Sequence, residues 1–171
     1  MIKMYGNIKD FWSNDLVNYH FPCKYSAWQR DYLHPNYNKE SNNLPQGFDD
    51  QLPECQSKFL EELQISVGTV SWTCIEPGQV IPVHTDEFYK LKTQYNVKNV
   101  EDCLRYLVFL QDWHFGHVVE FEETAITKWR KGDVWLFDHL SWHYAANASN
   151  VNFVTCQVNT IVNNLKRGIN E

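Results

Sequence analysis

The sequence has 171 residues, 43% of them hydrophobic and 15% aromatic, which is enough for one domain with a sizeable core. The formal net charge is −6 and no basic run occurs, so composition argues against a nucleic acid or an acidic membrane as partner. The five cysteines are scattered and form no C-x-x-C pair, which disfavours a disulfide framework and a structural zinc site. We expect a single domain over residues 1–171, in a reducing cytoplasmic compartment and without a signal peptide.

Residues 1–64 are predicted to form a helical and irregular segment that wraps the core. Residues 1–48 are rich in Asn, Tyr and Trp and are broken by Pro and Gly, with one short helix predicted from Asp10 to Tyr19. The strongest helix signal runs from Asp49 to Gln64, where Asp50 stands at the N-cap position and apolar residues recur at helical spacing.

From Ile65 onward the hydrophobic period changes from helical spacing to two, which is typical of strands. The predicted strands are Ile65–Ile75, Val80–His84, Cys103–Trp113, His117–Glu122, Val134–Phe137 and one or two within Asn150–Val162. Short strands separated by frequent turns favour a mainly β fold. We predict a jelly-roll or cupin-like sandwich over residues 65–162, with the N-terminal helices packed on it.

The segment from Ile81 to Asp86 (IPVHTD) carries the clearest chemical signal. His84 and Asp86 are two residues apart, so on an extended backbone their side chains leave on the same side. A distant strand can supply a third ligand, and His143 is our candidate, although His114, His117 or His139 could take its place. Two His and one carboxylate leave coordination positions open, which is the arrangement of non-haem iron(II) oxygenases.

Several segments together resemble the 2-oxoglutarate/iron(II)-dependent oxygenases. They are His84-Thr85-Asp86, Arg105-Tyr106-Leu107, the segment WRKGDVWLFD at 129–138, and His143 followed by Asn147. The resemblance covers residues 65 to 162 and is nearest to small stand-alone hydroxylases of the aspartyl/asparaginyl and prolyl hydroxylase branches, including those carried by bacteriophages. It implies a double-stranded β-helix fold, and a cytoplasmic location that includes the cytoplasm of a phage-infected host cell.

The resemblance further implies that His84, Asp86 and His143 bind Fe(II), and that Arg105 faces 2-oxoglutarate as cosubstrate. Arg105 also stands in a strongly apolar run, where burial is costly unless the guanidinium meets an anion. That anion is either a cosubstrate carboxylate or a carboxylate of a neighbouring strand, such as Glu120 or Glu122. The family commonly keeps a basic residue beyond the last His, but here Asn152 stands near that place. Its amide can donate hydrogen bonds to the far carboxylate of the cosubstrate but supplies no charge. Either Arg105 or His117 takes over the anchoring of that carboxylate, or the cosubstrate binds weakly, or it is not 2-oxoglutarate.

The predicted activity is hydroxylation of a C–H bond in an amino acid, a protein side chain or a small metabolite, with dioxygen as the other substrate. Two other classes stay open. One is a cupin-like metalloenzyme that does not use 2-oxoglutarate, which the absent distal base favours. The other is a non-enzymatic ligand-binding sandwich, which would take up no metal.

Overall fold

The structure, a computed structural model, describes residues 1–9, 11–12, 23–25, 44–48 and 53–162. For residues 23–25, 44–48 and 53–54 it describes the backbone alone. The helix predicted from Asp10 to Tyr19 lies almost entirely outside the described residues, as does the predicted N-cap at Asp50.

Eleven strands and two α-helices occur in the described part of the chain. The strands are β1 Ile2–Asn7, β2 Cys23–Tyr25, β3 Leu44–Phe48, β4 Gly68–Ile75, β5 Val80–His84, β6 Cys103–Phe109, β7 His117–Phe121, β8 Thr124–Ile126, β9 Asp133–Asp138, β10 His143–Asn147 and β11 Phe153–Ile161. The helices are α1 Pro53–Glu62 and α2 Tyr89–Tyr95, and a 3₁₀ turn covers Val100–Asp102. No helix in these ranges is both long and apolar enough to cross a membrane.

The strands form two antiparallel sheets. Seven strands make the larger sheet in the order β1-β9-β6-β11-β4-β3-β2, and four make the smaller one in the order β5-β10-β7-β8. Strand pairs β4–β11 and β6–β11 are long and regular, so β11 is the centre of the larger sheet. The predicted mainly β, two-sheet architecture is therefore confirmed.

Each face of the larger sheet has its own core. The outer face packs against α1, where Phe59 and Leu63 meet Trp72, and Trp12 stacks on Phe59 with ring centroids 5.4 Å apart. The inner face meets the smaller sheet through a second apolar cluster that includes Phe109. Alternate residues of a strand point to opposite faces, so every long strand of the larger sheet contributes to both cores.

The inner face is itself divided between polar and apolar residues. In β4 and β11 most inward-facing residues are polar and uncharged. They are Thr69, Ser71, Thr73, Thr155, Gln157 and Asn159. In β6 and β9 the inward positions include Leu107, Phe109 and Phe137, which pack against Phe121 of the smaller sheet. We call the six polar residues of β4 and β11 the polar wall.

The differences from the sequence-based prediction lie at the edges of the larger sheet and in the smaller sheet, where β10, the strand that carries His143, was not predicted. The prediction of an irregular segment over residues 1–48 was wrong at β1, β2 and β3, which extend the larger sheet at both ends. β1 was missed because none of its residues is fully buried and a bulge next to Gly6 interrupts its pairing, so its hydrophobic pattern is weak. Strand β8 was also missed, because three residues are too few to show a period.

Candidate metal centre

His84, Asp86 and His143 come together between the two sheets. One ligand atom from each lies within 4.8 Å of the others, and this is the one such cluster of His, Cys, Asp or Glu found among the described residues. The three residues are 5%, 8% and 8% exposed. The predicted set of metal-ligating side chains is thus assembled in space from two strands that are 59 residues apart in the chain (143 − 84).

A β-bulge brings His84 opposite His143. These two residues are paired in the β5–β10 ladder, but Ala145 pairs with Ile81, so β5 has one residue more than β10 between the two pairs. Pro82 lies in this interval, where its missing N–H is tolerated because β5 is an edge strand. Bulges of this kind commonly redirect a side chain next to an active site.

Backbone carbonyls fix the orientation of both imidazoles. Nδ1 of His84 lies 2.8 Å from the carbonyl oxygen of Pro82, and Nδ1 of His143 lies 2.9 Å from that of Ser141. A carbonyl only accepts, so each Nδ1 carries the proton and each Nε2 keeps its lone pair. Both Nε2 atoms face Asp86, at 3.8 Å from Oδ1 for His84 and 3.9 Å from Oδ2 for His143.

Burial keeps the two histidines neutral. Desolvation lowers the pKa of His84 to about 3, with the neighbouring His143 adding to the effect, and desolvation likewise lowers the pKa of His143. Neutral imidazoles are the form that binds metal ions. The rings of Phe121 and Phe137 lie 5.2 and 4.9 Å from the ring of His143, which keeps water from that side.

The donor set fits a divalent transition metal. Two imidazole nitrogens and one carboxylate on one side form the facial arrangement found in non-haem iron(II) sites. Metal–ligand bonds of about 2.1 Å at right angles would place the donors about 3 Å apart. The observed distances from the two Nε2 atoms to the Asp86 oxygens are 3.8 and 3.9 Å. Side-chain movements of about 1 Å would bring them to that value.

Arg105 contacts the same cluster. Its Nη1 lies 2.8 Å from Oδ1 of Asp86, and its Nε donates to Oδ1 of Asn159 at 2.8 Å. The guanidinium also lies over the ring of Phe88, 5.5 Å from its centroid. Asp86 is thus the carboxylate that meets Arg105, rather than Glu120, which instead accepts a 2.6 Å hydrogen bond from Tyr144.

Two residues predicted to bind the cosubstrate do not lie near the cluster. His117 pairs with Asn147, at the far end of β10 from His143, which is about 13 Å along the strand. There its Nε2 lies 3.0 Å from Oγ of Ser149. Asn152 is exposed just before β11, about 23 Å along the strand from Asn159, and its carbonyl accepts from Gln111. The structure corrects both placements, because each residue lies at the opposite end of the sandwich.

Asn159 was not among the residues predicted from the sequence. Its amide links Arg105 to Thr69, since Nδ2 donates to Oγ1 of Thr69 at 3.2 Å while Oδ1 accepts from the guanidinium. The signal was present in the sequence: in β11, Thr155, Gln157 and Asn159 alternate with apolar residues. Polar residues at every second position of a central strand indicate a polar interior face.

Comparisons with known proteins support the fold. No protein family matches the sequence, and no curated protein is similar to it. Among solved structures, the non-heme alpha-ketoglutarate-dependent carbocyclase SnoK from nogalamycin biosynthesis is similar over 70% of this chain, with a TM-score of 0.54 and 16% identity. The match spans 64% of the carbocyclase, so less than two thirds of its length is represented here.

Two further solved structures are similar at lower TM-scores. One is an uncharacterized protein from Klebsiella pneumoniae with a double-stranded β-helix domain (TM-score 0.39, 16% identity, 60% of this chain and 74% of that one). Another is a cupin domain from Bordetella pertussis (TM-score 0.37, 14% identity, 55% of this chain and 85% of that one). At these identities the likeness concerns the fold alone. The chain folds as a cupin-like double-stranded β-helix.

Proposed function

We propose that the chain is an Fe(II)- and 2-oxoglutarate-dependent dioxygenase that hydroxylates a C–H bond of an amino acid, a protein side chain or a small metabolite. The observation that carries the proposal is the buried cluster of His84, Asp86 and His143, with both Nδ1 atoms bonded to backbone carbonyls. Such a cluster leaves three positions of an octahedral ion for other ligands. The bound iron and 2-oxoglutarate would supply the oxidising chemistry with dioxygen.

The protein's own residues would bind and orient the cosubstrate. Arg105 offers a planar fork of donors that matches a carboxylate, and Asn159 holds that fork on the inner face of the larger sheet. In the adjoining polar wall Gln157 accepts from Ser71 and Thr73. The wall is formed by hydroxyl and amide groups, so a ligand there would be recognised by hydrogen bonds, with the positive charge of Arg105 at one end of β11.

The test is an anaerobic titration of the metal-free protein with Fe(II) and then 2-oxoglutarate. We expect the weak visible charge-transfer band of a keto acid chelated to iron. The band should be absent in His84→Ala and His143→Ala and unchanged in His114→Ala, because His114 is exposed and lies outside the cluster. No band in the wild type, with iron bound, would contradict the use of 2-oxoglutarate.

One observation favours a second candidate, a cupin-like metalloenzyme that does not use 2-oxoglutarate. Arg105, the residue best placed for the cosubstrate, is already bonded to Asp86. If iron binds and no keto acid adds a band, this candidate replaces the first. If no metal binds at all, a non-enzymatic sandwich remains.

The compartment and partners follow from the same proposal. Among the described side chains, Cys74, Cys103 and Cys156 are reduced, buried thiols, which supports a cytoplasmic location. A small molecule or a peptide would reach the metal together with dioxygen.

A further inference from the structure

The ion pair between Arg105 and Asp86 also bears on how the site binds a metal ion. The guanidinium meets a metal-ligating carboxylate directly, at 2.8 Å, and both groups are largely buried, with side chains 19% and 7% exposed. Metal ligands are usually supported by neutral or acidic groups that strengthen them. A cation bonded to the ligand does the opposite, because it draws negative charge away from the oxygen that a metal needs.

The charges of the cluster explain why a cation is there. Each imidazole donates its Nδ1 proton to a backbone carbonyl and keeps a lone pair on Nε2, so Asp86 contributes the one negative charge of the cluster in a site almost closed to water. A buried carboxylate without compensation is strongly destabilising. Arg105 supplies one positive charge, so the sum over these four residues is zero in the metal-free protein.

A divalent ion would change this sum. With the metal bound to Asp86, the same four residues and the ion would carry two positive charges, and the guanidinium would stand within a few ångströms of a cation of the same sign. Repulsion between such charges is strong in a buried site. Asn159 and the ring of Phe88 offer Arg105 contacts that do not involve Asp86.

We propose that Arg105 is a counter-ion. Its positive charge neutralises Asp86 in the metal-free protein, and the guanidinium is displaced from Asp86 when the metal binds. Arg105 is thus a positioning residue that competes with the metal. Its displacement frees the guanidinium for an anion such as the cosubstrate carboxylate, so that metal precedes cosubstrate. This inference rests on the metal site of the proposed function, but not on the use of 2-oxoglutarate.

The competing interpretation makes the opposite prediction. If Arg105 only orients Asp86 for the metal, its removal weakens metal binding. If it is a counter-ion, its removal strengthens metal binding while it destabilises the metal-free protein. Only a counter-ion predicts that its removal makes metal binding tighter and the metal-free protein less stable.

The experiment uses the whole chain, stripped of metal, titrated with Co(II) and followed by its visible absorption. Arg105→Gln removes the charge and is compared with Arg130→Gln, the same change at an exposed position. We expect Arg105→Gln to bind Co(II) about tenfold more tightly than the wild type. Its metal-free form should melt about 5 °C lower. Arg130→Gln should leave both values unchanged.

Each outcome decides the question. Weaker or unchanged Co(II) binding by Arg105→Gln overturns the counter-ion role and leaves the metal site intact. Absence of Co(II) binding by the wild type removes the metal site itself, and with it the proposed function. If Arg105→Gln does not fold, Arg105→Met removes the same charge and keeps an unbranched, flexible side chain that packs in a buried place. That variant should also bind Co(II) more tightly, and weaker binding by it overturns the proposal.

Discussion

Asn147 holds together the end of the sandwich that lies away from the metal centre. It is 1% exposed, and its Nδ2 donates to the carbonyl oxygens of Ile75 and Val151, both at 2.7 Å. Its Oδ1 accepts from the backbone N and the Oγ of Ser149 at 2.9 and 2.7 Å. One amide therefore joins the end of β4, the end of β10 and the loop before β11.

Asn147→Ala should cost much of the protein's stability. Four hydrogen bonds are lost, each contributing about 1 kcal/mol net, and the buried partner groups that lose them add to the cost. We expect the free energy of unfolding to fall by about 3–5 kcal/mol, out of a total of about 5–15 kcal/mol for a domain. Asn147→Asp should be similarly destabilising, because it turns a donor into an acceptor that faces two carbonyls.

Urea unfolding measures the effect, with Asn150→Ala as the matched control. Asn150 is exposed in the same loop, so its loss should change the free energy by less than about 0.5 kcal/mol. Co(II) affinity of folded Asn147→Ala should equal that of the wild type, since the metal centre lies at the other end of β10. A loss below about 1.5 kcal/mol would refute the reasoning that buried hydrogen bonds of this residue hold the three segments.

Three further predictions concern backbone strain, pH and metal. Gly132 has φ 88°, and a Cβ added there would overlap the backbone oxygen of Ile8. At Gly78, with φ 81°, nothing lies within 4 Å of an added Cβ. In urea unfolding, Gly132→Ala should lower the free energy of unfolding by about 3 kcal/mol and Gly78→Ala by only about 1–2 kcal/mol. Burial lowers the pKa of His117, so the folded state resists its protonation. The stability advantage of the wild type over His117→Phe should be full above pH about 6.5 and shrink as the pH falls below it, as measured by unfolding at several pH values. A hundredfold excess of Co(II) over its Kd should stabilise the wild type by about 2.7 kcal/mol in thermal unfolding and leave His143→Ala unchanged.

The sequence predicts strands that have a strong hydrophobic or turn signal better than strands that lack one. The strand that contains His84 has the predicted bounds, because a Pro-Gly turn precedes it and a polar loop follows. The strands of the N-terminal region have weak patterns, since they pair with the larger sheet at its margins. Their formation depends on neighbours that are distant in sequence.

In the candidate site, too, features set by nearby residues were predicted and features set by the pairing of distant strands were not. The convergence of His84 and Asp86 follows from local spacing, whereas the residues left several histidines open as third ligand and the resemblance favoured His143. The placement of Asn152 at the cosubstrate failed because a count along the chain does not give the register of β11 against β6. That register sets Asn159, rather than Asn152, beside Arg105.

The division of the larger sheet into two faces has a consequence for how this protein can change. The outer face carries Trp72 and the packing against α1, while the inner positions of β4 and β11 carry the polar wall. Substitutions at Ser71 and Gln157 would alter the polar wall without touching the packing of the outer face. Such a chain can vary its inner face by small steps that keep the outer core, and a library of polar residues that retains these hydrogen bonds would remain largely foldable.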